Sequence, residues 1–413
     1  MNPKSLLLLA IGVLIFSCCA TPRNIKPAVA ASDSYNASGA AIRSFPVEIS
    51  GNLVFMQVRV NNSEPLWFIL DSGADDLLID AERARDLGLR LEGRARGRGV
   101  GEGAFDITFA KGVSLNFAGI EMVNQTLSAT SLKSLPPFFG RRVDGILGHH
   151  LFSHYTVEID YAAQLVKLYD PAKFQYSGVG ERLPITMVGK LPTANVRIAL
   201  PGRAPVEARL LIDTGANSEV VLNSPFVESQ KLLDNSIKTI RESSSSGLGG
   251  VSIILSGRAL SLQLGRFVLE QPIVIFAKDR SGSFASRDFD GVLGGEVFRR
   301  FKMIFDYSSR QVILEPNAHF AEPYEDTMSG IRLRAEGEDF KTFVVHSTLE
   351  DSPAAKAGLR EGDRIISIDG VSTASFTLDQ LKQMFRREGK EYSLGVKRGE
   401  ELQQIALKMK RLI

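Results

Sequence analysis

Apolar and polar residues alternate along most of the chain in short runs, a pattern typical of half-buried β-strands. Residues 54–60 and 193–200 alternate in this way, and Gly, Asn and Pro separate such runs. Within residues 44–317, helical periodicity is confined to brief segments, one around residues 81–87 and one after each of two Leu-Gly elements. The pattern therefore predicts a mainly β protein and argues against a parallel sheet with long crossover helices.

The chain contains an internal repeat that divides most of it into two similar halves. The sequence FILDSGA, which ends at Ala74, recurs as LLIDTGA, which ends at Ala216, and the downstream sequence VDGILG recurs as FDGVLG. Two copies of about 140 residues with the same internal order indicate a duplicated unit. The sequence therefore predicts two similar β-lobes, lobe 1 at residues 44–178 and lobe 2 at residues 179–317.

The repeated aspartates are the candidate catalytic groups. Each apolar run ends in Asp-Ser/Thr-Gly, which places Asp71 and Asp213 at equivalent points of the two lobes. One such element alone could be an ordinary turn, since Asp and Gly are common turn residues. Two carboxyl groups within about 3 Å of each other cannot both ionise, so they share one proton. One of them then acts as a base and the other as an acid. Support of this dyad is predicted for the residues that follow the carboxylates, Ser72, Gly73, Thr214 and Gly215.

The paired Asp-Ser/Thr-Gly-Ala and apolar-Leu-Gly elements resemble those of the pepsin-like and retropepsin-like aspartic proteases. The similarity is greatest to the bacterial retropepsin-like group with two lobes fused in one chain, and it covers about residues 45–316. The resemblance implies a bilobal acid-protease fold with β-barrel-like lobes. It also implies Asp71 and Asp213 as the catalytic dyad, with no metal and no cofactor. From the sequence alone, the lobes could pair within one chain or between two chains.

Substrate contacts are also implied by this resemblance. Asp75 and Asp76 match acidic residues that meet substrate backbone, whereas lobe 2 has Asn217 and Ser218 in that place. The family covers its cleft with Gly-rich hairpins called flaps, and Gly-rich segments lie between the two motifs of each lobe; a plain surface loop is the alternative. The residues predicted to contact substrate are Asp75, Asp76, Gly99, Val100, Gly101, Leu248 and Gly249.

The C-terminal region is predicted to be a separate domain at residues 326–411. A short helix is followed by a Gly-Asp turn and the strand RIISIDG, and residues 378–387 are amphipathic. The region resembles the PDZ domains attached to bacterial secreted proteases, which bind an extended peptide along a sheet edge. The resemblance implies a peptide groove formed by Gly330, Ile331, Leu333 and Leu378. The alternative is a PDZ fold that only braces the protease lobes.

The N-terminus is predicted to direct export. An apolar run of eleven residues follows Lys4. It is too short to span a bilayer, but its length is typical of the apolar core of a signal peptide. The sequence around Cys18 resembles a lipobox, so residues 1–19 are predicted to be a lipoprotein-type signal peptide with Cys18 lipidated. An ordinary cleaved signal peptide is the alternative. Residues 20–43, rich in Ala, Ser, Pro and Asn, are predicted to be a flexible linker.

Composition excludes several other classes of function. The 413 residues carry 49 Lys and Arg against 47 Asp and Glu, a net charge of +2, and the Arg-rich segment at 90–98 has no interleaved aromatic residues. No nucleic acid partner is therefore expected. The only two Cys are adjacent near the N-terminus, and the helix carrying His149, His150 and His154 aligns with Gly295, Glu296 and Arg300 of lobe 2. That face is expected to be solvent-exposed, with no metal site.

The sequence thus predicts an exported bacterial aspartic endopeptidase with a PDZ domain. Its partners would be protein or peptide substrates, peptide ligands of the PDZ domain, and a bacterial membrane reached through a lipid anchor on the periplasmic or cell-surface side. The alternatives are a catalytically silent peptide-binding protein of the same fold and a structural lipoprotein. The structural role leaves two intact Asp motifs unexplained.

Overall fold

The structure is a computed structural model that describes residues 37–38, 41–234 and 236–413, without the side chains of residues 37–38 and 243–246. The predicted signal peptide at 1–19, including Cys18, and most of the predicted linker lie outside the described residues. No helix of the described part is long and apolar enough to cross a membrane.

Lobe 1 is a strongly curved sheet of short strands with three brief helices. Its sheet has the order β3-β4-β5-β10-β6-β9-β8-β7, and an additional β4–β8 pairing closes it into a barrel-like shape. The Asp80 side chain begins the first helix by accepting hydrogen bonds from two backbone N–H groups of its first turn. The elements are β1 (Ala37–Ser38), β2 (Arg43–Pro46), β3 (Glu48–Ser50), β4 (Leu53–Val60), β5 (Leu66–Leu70), β6 (Leu77–Asp80), α1 (Ala81–Asp86), β7 (Leu91–Arg98), β8 (Ala104–Phe117), β9 (Ile120–Thr130), α2 (Pro136–Phe139), β10 (Gly145–Leu147), α3 (His149–His154), β11 (Thr156–Asp160), β12 (Leu165–Tyr169) and β13 (Gln175–Tyr176).

Lobe 2 repeats this arrangement. Its sheet has the order β19-β20-β23-β18-β24-β17-β16-β21-β22, with β15 paired to β16. The parallel pair β17–β24 corresponds to the parallel pair β5–β10 of lobe 1, as the sequence repeat predicts. The elements are β14 (Glu181–Pro184), β15 (Thr186–Val188), β16 (Leu191–Ala199), β17 (Val206–Ile212), β18 (Val220–Leu222), α4 (Ser224–Ser229), β19 (Thr239–Gly247), β20 (Gly250–Arg258), β21 (Ser261–Leu264), β22 (Phe267–Glu270), β23 (Ile273–Ala277), a 3-10 helix (Ser283–Ala285), β24 (Gly291–Leu293), α5 (Gly295–Phe298), β25 (Phe301–Asp306) and β26 (Gln311–Pro316).

A third sheet joins the lobes beneath the candidate site. Its order is β14-β26-β25-β11-β12-β2, so the central strands β11 and β25 come from opposite lobes and pair antiparallel. Phe152 and Phe305 pack edge to face across this junction with ring centroids 5.0 Å apart. The two lobes therefore pair within one chain. At the periphery, β1 pairs with β13, so residues 37–38 form a strand inside the segment predicted as linker.

The C-terminal region forms its own β-sheet and its own apolar core. The sheet has the order β27-β28-β29-β31-β32, with β30 paired to β29, and β27 is an edge strand. The amphipathic segment at 378–387 forms a helix over Leu378–Met384, which begins with a capping box between Thr377 and Gln380. The elements are β27 (Ile331–Glu336), β28 (Thr342–Thr348), α6 (Pro353–Lys356), β29 (Arg364–Ile368), β30 (Val371–Ser372), a 3-10 helix (Thr373–Ser375), α7 (Leu378–Met384), β31 (Glu391–Arg398) and β32 (Glu401–Lys408).

Candidate active site

Each of the two repeated aspartates directly follows a strand that pairs with the apolar-Leu-Gly element of the same lobe. Asp71 follows β5 and Asp213 follows β17, and each turn is fixed by a hydrogen bond from the Asp N–H to a backbone carbonyl. The acceptors are Leu147 O and Leu293 O, both at 3.0 Å. These acceptors belong to β10 and β24, which are the repeated apolar-Leu-Gly elements. The apolar-Leu-Gly element of each lobe therefore supports the Asp-Ser/Thr-Gly turn of the same lobe.

The two carboxyl groups face each other at the lobe boundary. Asp71 and Asp213 are fully buried, and each Oδ1 accepts a hydrogen bond of 2.8 Å from the N–H of the Gly two residues later. A Cβ on Gly73 would lie 2.3 Å from the Asp213 Cγ, and one on Gly215 would lie 2.2 Å from the Asp71 Cγ. Only glycine therefore permits this approach. Both Oδ2 atoms are buried and have no partner in the described structure other than the opposite carboxyl.

Burial dominates the acidity of this pair. It raises the pKa of Asp71 to about 6, although the Asp213 carboxyl and three backbone N–H groups oppose the rise. Burial, and then the charge of Asp71, raise the pKa of Asp213 well above its ordinary value. Two close acids that cannot both ionise titrate as one coupled unit with two apparent pKa values. Burial and the proximity of the two carboxyls thus disfavour the state in which both are ionised.

The hydroxyls of Ser72 and Thr214 lock the two turns together. The Thr214 Oγ1 accepts a hydrogen bond from the Ser72 N–H at 2.9 Å and donates one to Leu70 O at 2.8 Å. Reciprocally, the Ser72 Oγ accepts from the Thr214 N–H at 3.0 Å and donates to Ile212 O at 2.7 Å. All four bonds cross from one lobe to the other and are buried. They fix the separation of the two carboxyl groups.

The Gly-rich segments form the tips of two β-hairpins, as predicted. One hairpin is made by β7 and β8 and the other by β19 and β20, and their tips touch. The Gly103 N–H donates a hydrogen bond of 2.6 Å to Gly249 O. A Cβ on Gly101, which has a φ of +96°, would lie 2.6 Å from Gly250 O. The glycines are therefore required for close contact between the two tips.

Each hairpin tip places an apolar side chain in the opposite lobe. Val100, from lobe 1, is 3% exposed and belongs to a cluster of lobe 2 residues that includes Ala216. Leu248, from lobe 2, is 4% exposed and belongs to a lobe 1 cluster that includes Ala74. Since Ala74 and Ala216 directly follow the two dyad turns, both tips lie over the cleft in a closed position.

Asp75 and Asp76, predicted to contact substrate, lie at the boundary with lobe 2. The Lys190 ammonium donates to Asp75 O at 3.1 Å and pairs with the Asp76 carboxylate at 3.3 Å. Burial and the neighbouring Asp76 raise the pKa of Asp75 to about 7, while Lys190 opposes the rise. The equivalent contact of lobe 2 is different. Asn52 donates to Asn217 O, at 3.1 Å, and also to a buried glutamate.

The expectation of a solvent-exposed face after the apolar-Leu-Gly element is wrong in lobe 2. Glu296 and Arg300 are buried, 1% and 0% exposed, because Glu296 pairs with Arg299 at 2.7 Å and the Arg300 guanidinium stacks 3.7 Å from the Tyr324 ring centre. In lobe 1, burial lowers the pKa of the half-buried His149. Within the described ranges, no three His, Cys, Asp or Glu side chains are arranged to hold a metal ion.

Two tyrosines beneath the dyad were not assigned a role from the sequence. The hydroxyls of Tyr161 and Tyr307 are buried and make no hydrogen bond in the described structure. Burial raises the pKa of both phenols, and the dyad carboxyls add to the rise. The signal was present in the sequence, since Asp-Tyr recurs at equivalent positions of the two lobes. Lys190 and Asn52 were likewise visible as paired residues at the start of each lobe.

The residues predicted to form the PDZ groove lie on β27, on the loop before it and on α7. Ile331, Leu333 and Leu378 are at most 3% exposed and belong to the core of the C-terminal domain. The Ser329 Oγ accepts a hydrogen bond of 3.0 Å from the Ile331 N–H, and the Gly330 carbonyl accepts one from another loop. This loop therefore satisfies part of its own polar backbone.

Comparison with known proteins identifies two regions of the chain. Residues 56–151 match a family model described as an aspartyl protease, and residues 321–397 match one described as a PDZ domain. The first match contains Asp71, whereas Asp213 is related to it through the internal repeat. The chain is therefore a mainly β protein that combines an aspartyl protease-like region with a C-terminal PDZ domain.

Several individual proteins are similar over part of the chain. A "Probable CtpA-like serine protease" of Staphylococcus haemolyticus is 28% identical over 134 residues, 32% of this chain and 25% of that protein. The "Carboxy-terminal processing protease CtpB" of Bacillus subtilis is 29% identical over 125 residues, 30% of this chain and 26% of that protein. The chain thus spans about a quarter of these relatives. A crystal structure of an aspartic proteinase from Irpex lacteus has a TM-score of 0.43 at 15% identity, covering 68% of this chain and 98% of that one.

Proposed function

We propose that this protein is an exported aspartic endopeptidase that hydrolyses peptide bonds with the Asp71–Asp213 dyad. The observation that carries the proposal is the pair of buried carboxyls, each held by a Gly N–H and each with one oxygen left to the other. The buried cross-lobe hydrogen bonds of Ser72 and Thr214 support it, because they preorganise the pair.

The reaction follows from a dyad with one proton. The ionised carboxyl removes a proton from a water, whose oxygen attacks the carbonyl carbon, while the protonated carboxyl gives its proton to the carbonyl oxygen. Collapse of the tetrahedral intermediate breaks the C–N bond, and the amine nitrogen leaves with a proton returned by the dyad. Substrate would enter after the tips at Val100 and Leu248 separate. The remaining predicted contacts, Asp75 and Asp76, would then meet the substrate backbone.

The PDZ domain is proposed to bind substrate or partner peptides, and the predicted signal peptide and lipidated Cys18 would retain the enzyme on the outer side of a bacterial membrane. The apolar run before Cys18 supports export.

A catalytically silent peptide-binding protein is the second candidate. It is favoured by the contact between the two tips, since the Gly103 N–H donates to Gly249 O and joins the hairpins of the two lobes.

Cleavage of a mixed peptide library by the wild-type protein and by Asp213→Asn tests the proposal. Asp213→Asn is expected to lose all turnover, because the two carboxyls of the dyad act as one unit. The matched control is Asp86→Asn, at an exposed position of a helix, which should keep its turnover. A statine-containing peptide should inhibit the wild type. A serine-directed sulfonyl fluoride and a metal chelator should have no effect. Turnover that survives in a folded Asp213→Asn would refute the aspartic mechanism, and no turnover in the wild type would favour the silent protein.

A further inference from the structure

The groove of the PDZ domain is filled by a segment of lobe 1. Helix α2 and the following Gly140 lie between the edge strand β27 and helix α7. A Cβ on Gly140 would lie 2.9 Å from Leu378 Cβ and 3.8 Å from Ala335 Cβ, and the Lys382 ammonium donates to Phe138 O at 2.9 Å. The Phe138 ring packs edge to face on His346, with centroids 5.1 Å apart. This segment, residues 138–140, therefore occupies the surface on which a peptide would lie.

The occupying segment does not use the hydrogen bonds that β27 offers. Among the described residues, β27 pairs only with β28, and no strand pairing joins it to residues 138–140. A peptide added to this edge as a strand would gain main-chain hydrogen bonds that the segment does not make. Gly140 and Leu378 also line a cavity of about 620 Å3 whose other lining residues are mostly polar or charged. A peptide that displaces the segment would place an apolar side chain where the Phe138 ring now packs on His346.

The same edge strand also holds the hairpin of lobe 2 that closes the cleft. Arg332, in β27, has a buried side chain that pairs with Glu242 of β19 at 2.8 Å and with Asp326 at 2.7 Å. On the other side, Ser134, just before α2, donates a long hydrogen bond of 3.5 Å to Gly247 O at the hairpin tip. The β19–β20 hairpin thus contacts the PDZ domain directly at Arg332 and contacts the residue at Ser134 that precedes α2.

We propose that the PDZ domain is a peptide-operated latch. An extended apolar peptide that pairs with β27 expels residues 138–140 from the groove and loosens the β19–β20 hairpin, which opens the cleft. Because the segment and the peptide compete for one surface, the latch lowers the apparent affinity of the groove by the fraction of molecules in which it is open. The effect on cleavage rests on the proposed function, whereas the competition does not.

Hydrogen exchange on the full-length Asp213→Asn protein tests the latch without catalysis. The probe is a library of fluorescein-labelled octapeptides with Val, Leu, Ile or Phe at the last two positions, with free and amidated C-termini. Bound peptide should increase exchange at residues 135–141 and at residues 239–258, and should protect β27. Unchanged exchange in either of the first two segments, or no binding of any library peptide, would overturn the proposal.

A matched pair of variants provides an independent arm of the test. In the Asp213→Asn background, Phe138→Ala should bind the library peptides at least about fivefold more tightly, because it removes the ring that packs on His346 and so weakens the hold of the segment on the groove. The control is Phe174→Ala, since this lobe 1 ring lies outside the segment and packs on Tyr169 with centroids 5.2 Å apart. Thermal unfolding checks that both are folded. Equal affinities of Phe138→Ala and its parent would refute the latch. In the active protein, bound peptide should raise the cleavage rate of a quenched substrate, and an unchanged rate would refute the coupling to the hairpin.

Discussion

The cross-lobe hydrogen bonds at Thr214 provide a sharp test of how the dyad is held. Replacing Thr214 by Val keeps the shape of the side chain and removes its hydroxyl. The Ser72 N–H and the Leu70 carbonyl, now bonded at 2.9 Å and 2.8 Å, would both lose this partner inside a fully buried site. An unsatisfied buried polar group costs about 1–3 kcal/mol, so the two together should cost about 2–6 kcal/mol of the free energy of unfolding.

Two control variants separate this effect from simple loss of volume. Thr214→Ser keeps the hydroxyl and removes one methyl group, which should cost only about 1 kcal/mol. Thr186→Val makes the same substitution at an exposed position of β15 and should be nearly neutral. The free energy of unfolding is measured by urea denaturation at pH 7, and peptide cleavage is followed in parallel. Catalysis should fall in Thr214→Val even where the protein is fully folded, because the two carboxyls lose their fixed separation.

The outcome that would refute this reasoning is specific. If Thr214→Val and Thr214→Ser lost the same free energy of unfolding, the two hydrogen bonds of the Thr214 hydroxyl would contribute nothing measurable. If Thr214→Val were destabilised but cleaved peptides at the wild-type rate, the bonds would stabilise the fold without positioning the dyad.

Three further predictions follow from the dyad, the tips and the N-terminus. Because burial raises the pKa of Asp71 to about 6 and that of Asp213 further, cleavage should rise through about pH 6 and fall at higher pH in a pH–rate profile. Because of these raised pKa values, the folded state binds more protons than the unfolded state. The free energy of unfolding should therefore decrease as pH rises from about 4 through 6, and its slope should be smaller in Asp213→Asn. An increase over this range would contradict the raised pKa values of the dyad. Gly101→Ala should lower kcat/KM about tenfold or more, because its Cβ would meet the opposite tip. Gly112→Ala, at a φ of +69° with no atom within 4 Å of its Cβ, should not, and equal losses would argue against tip contact. Cys18→Ala should release the protein from the membrane fraction, whereas a soluble wild type with its N-terminus beyond Cys18 would exclude lipidation.

The sequence alone was enough to predict the architecture and the candidate dyad. The internal repeat identified Asp71 and Asp213 as equivalent, because each follows an apolar strand and precedes a glycine. The resemblance to aspartic proteases indicated flaps in the Gly-rich segments between the two motifs of each lobe, and these segments connect the paired strands of two hairpins. These features are local, since they depend on side-chain periodicity and on the backbone freedom of glycine within a few residues. The repeat adds that these local patterns occur at equivalent positions of two similar lobes.

Only the tertiary structure decided which distant residues meet. Val100 and Leu248 each pack in an apolar cluster of the opposite lobe. Lys190 pairs with Asp76, and the Phe138 ring packs on His346 of the PDZ domain. In each case more than a hundred residues of sequence separate the two partners. No periodicity records such contacts, because they depend on how finished sheets pack. Arg300 shows the limit most clearly. A charged residue in a helix was expected to face solvent, yet its guanidinium is buried because the fold supplies an aromatic ring and backbone carbonyls around it.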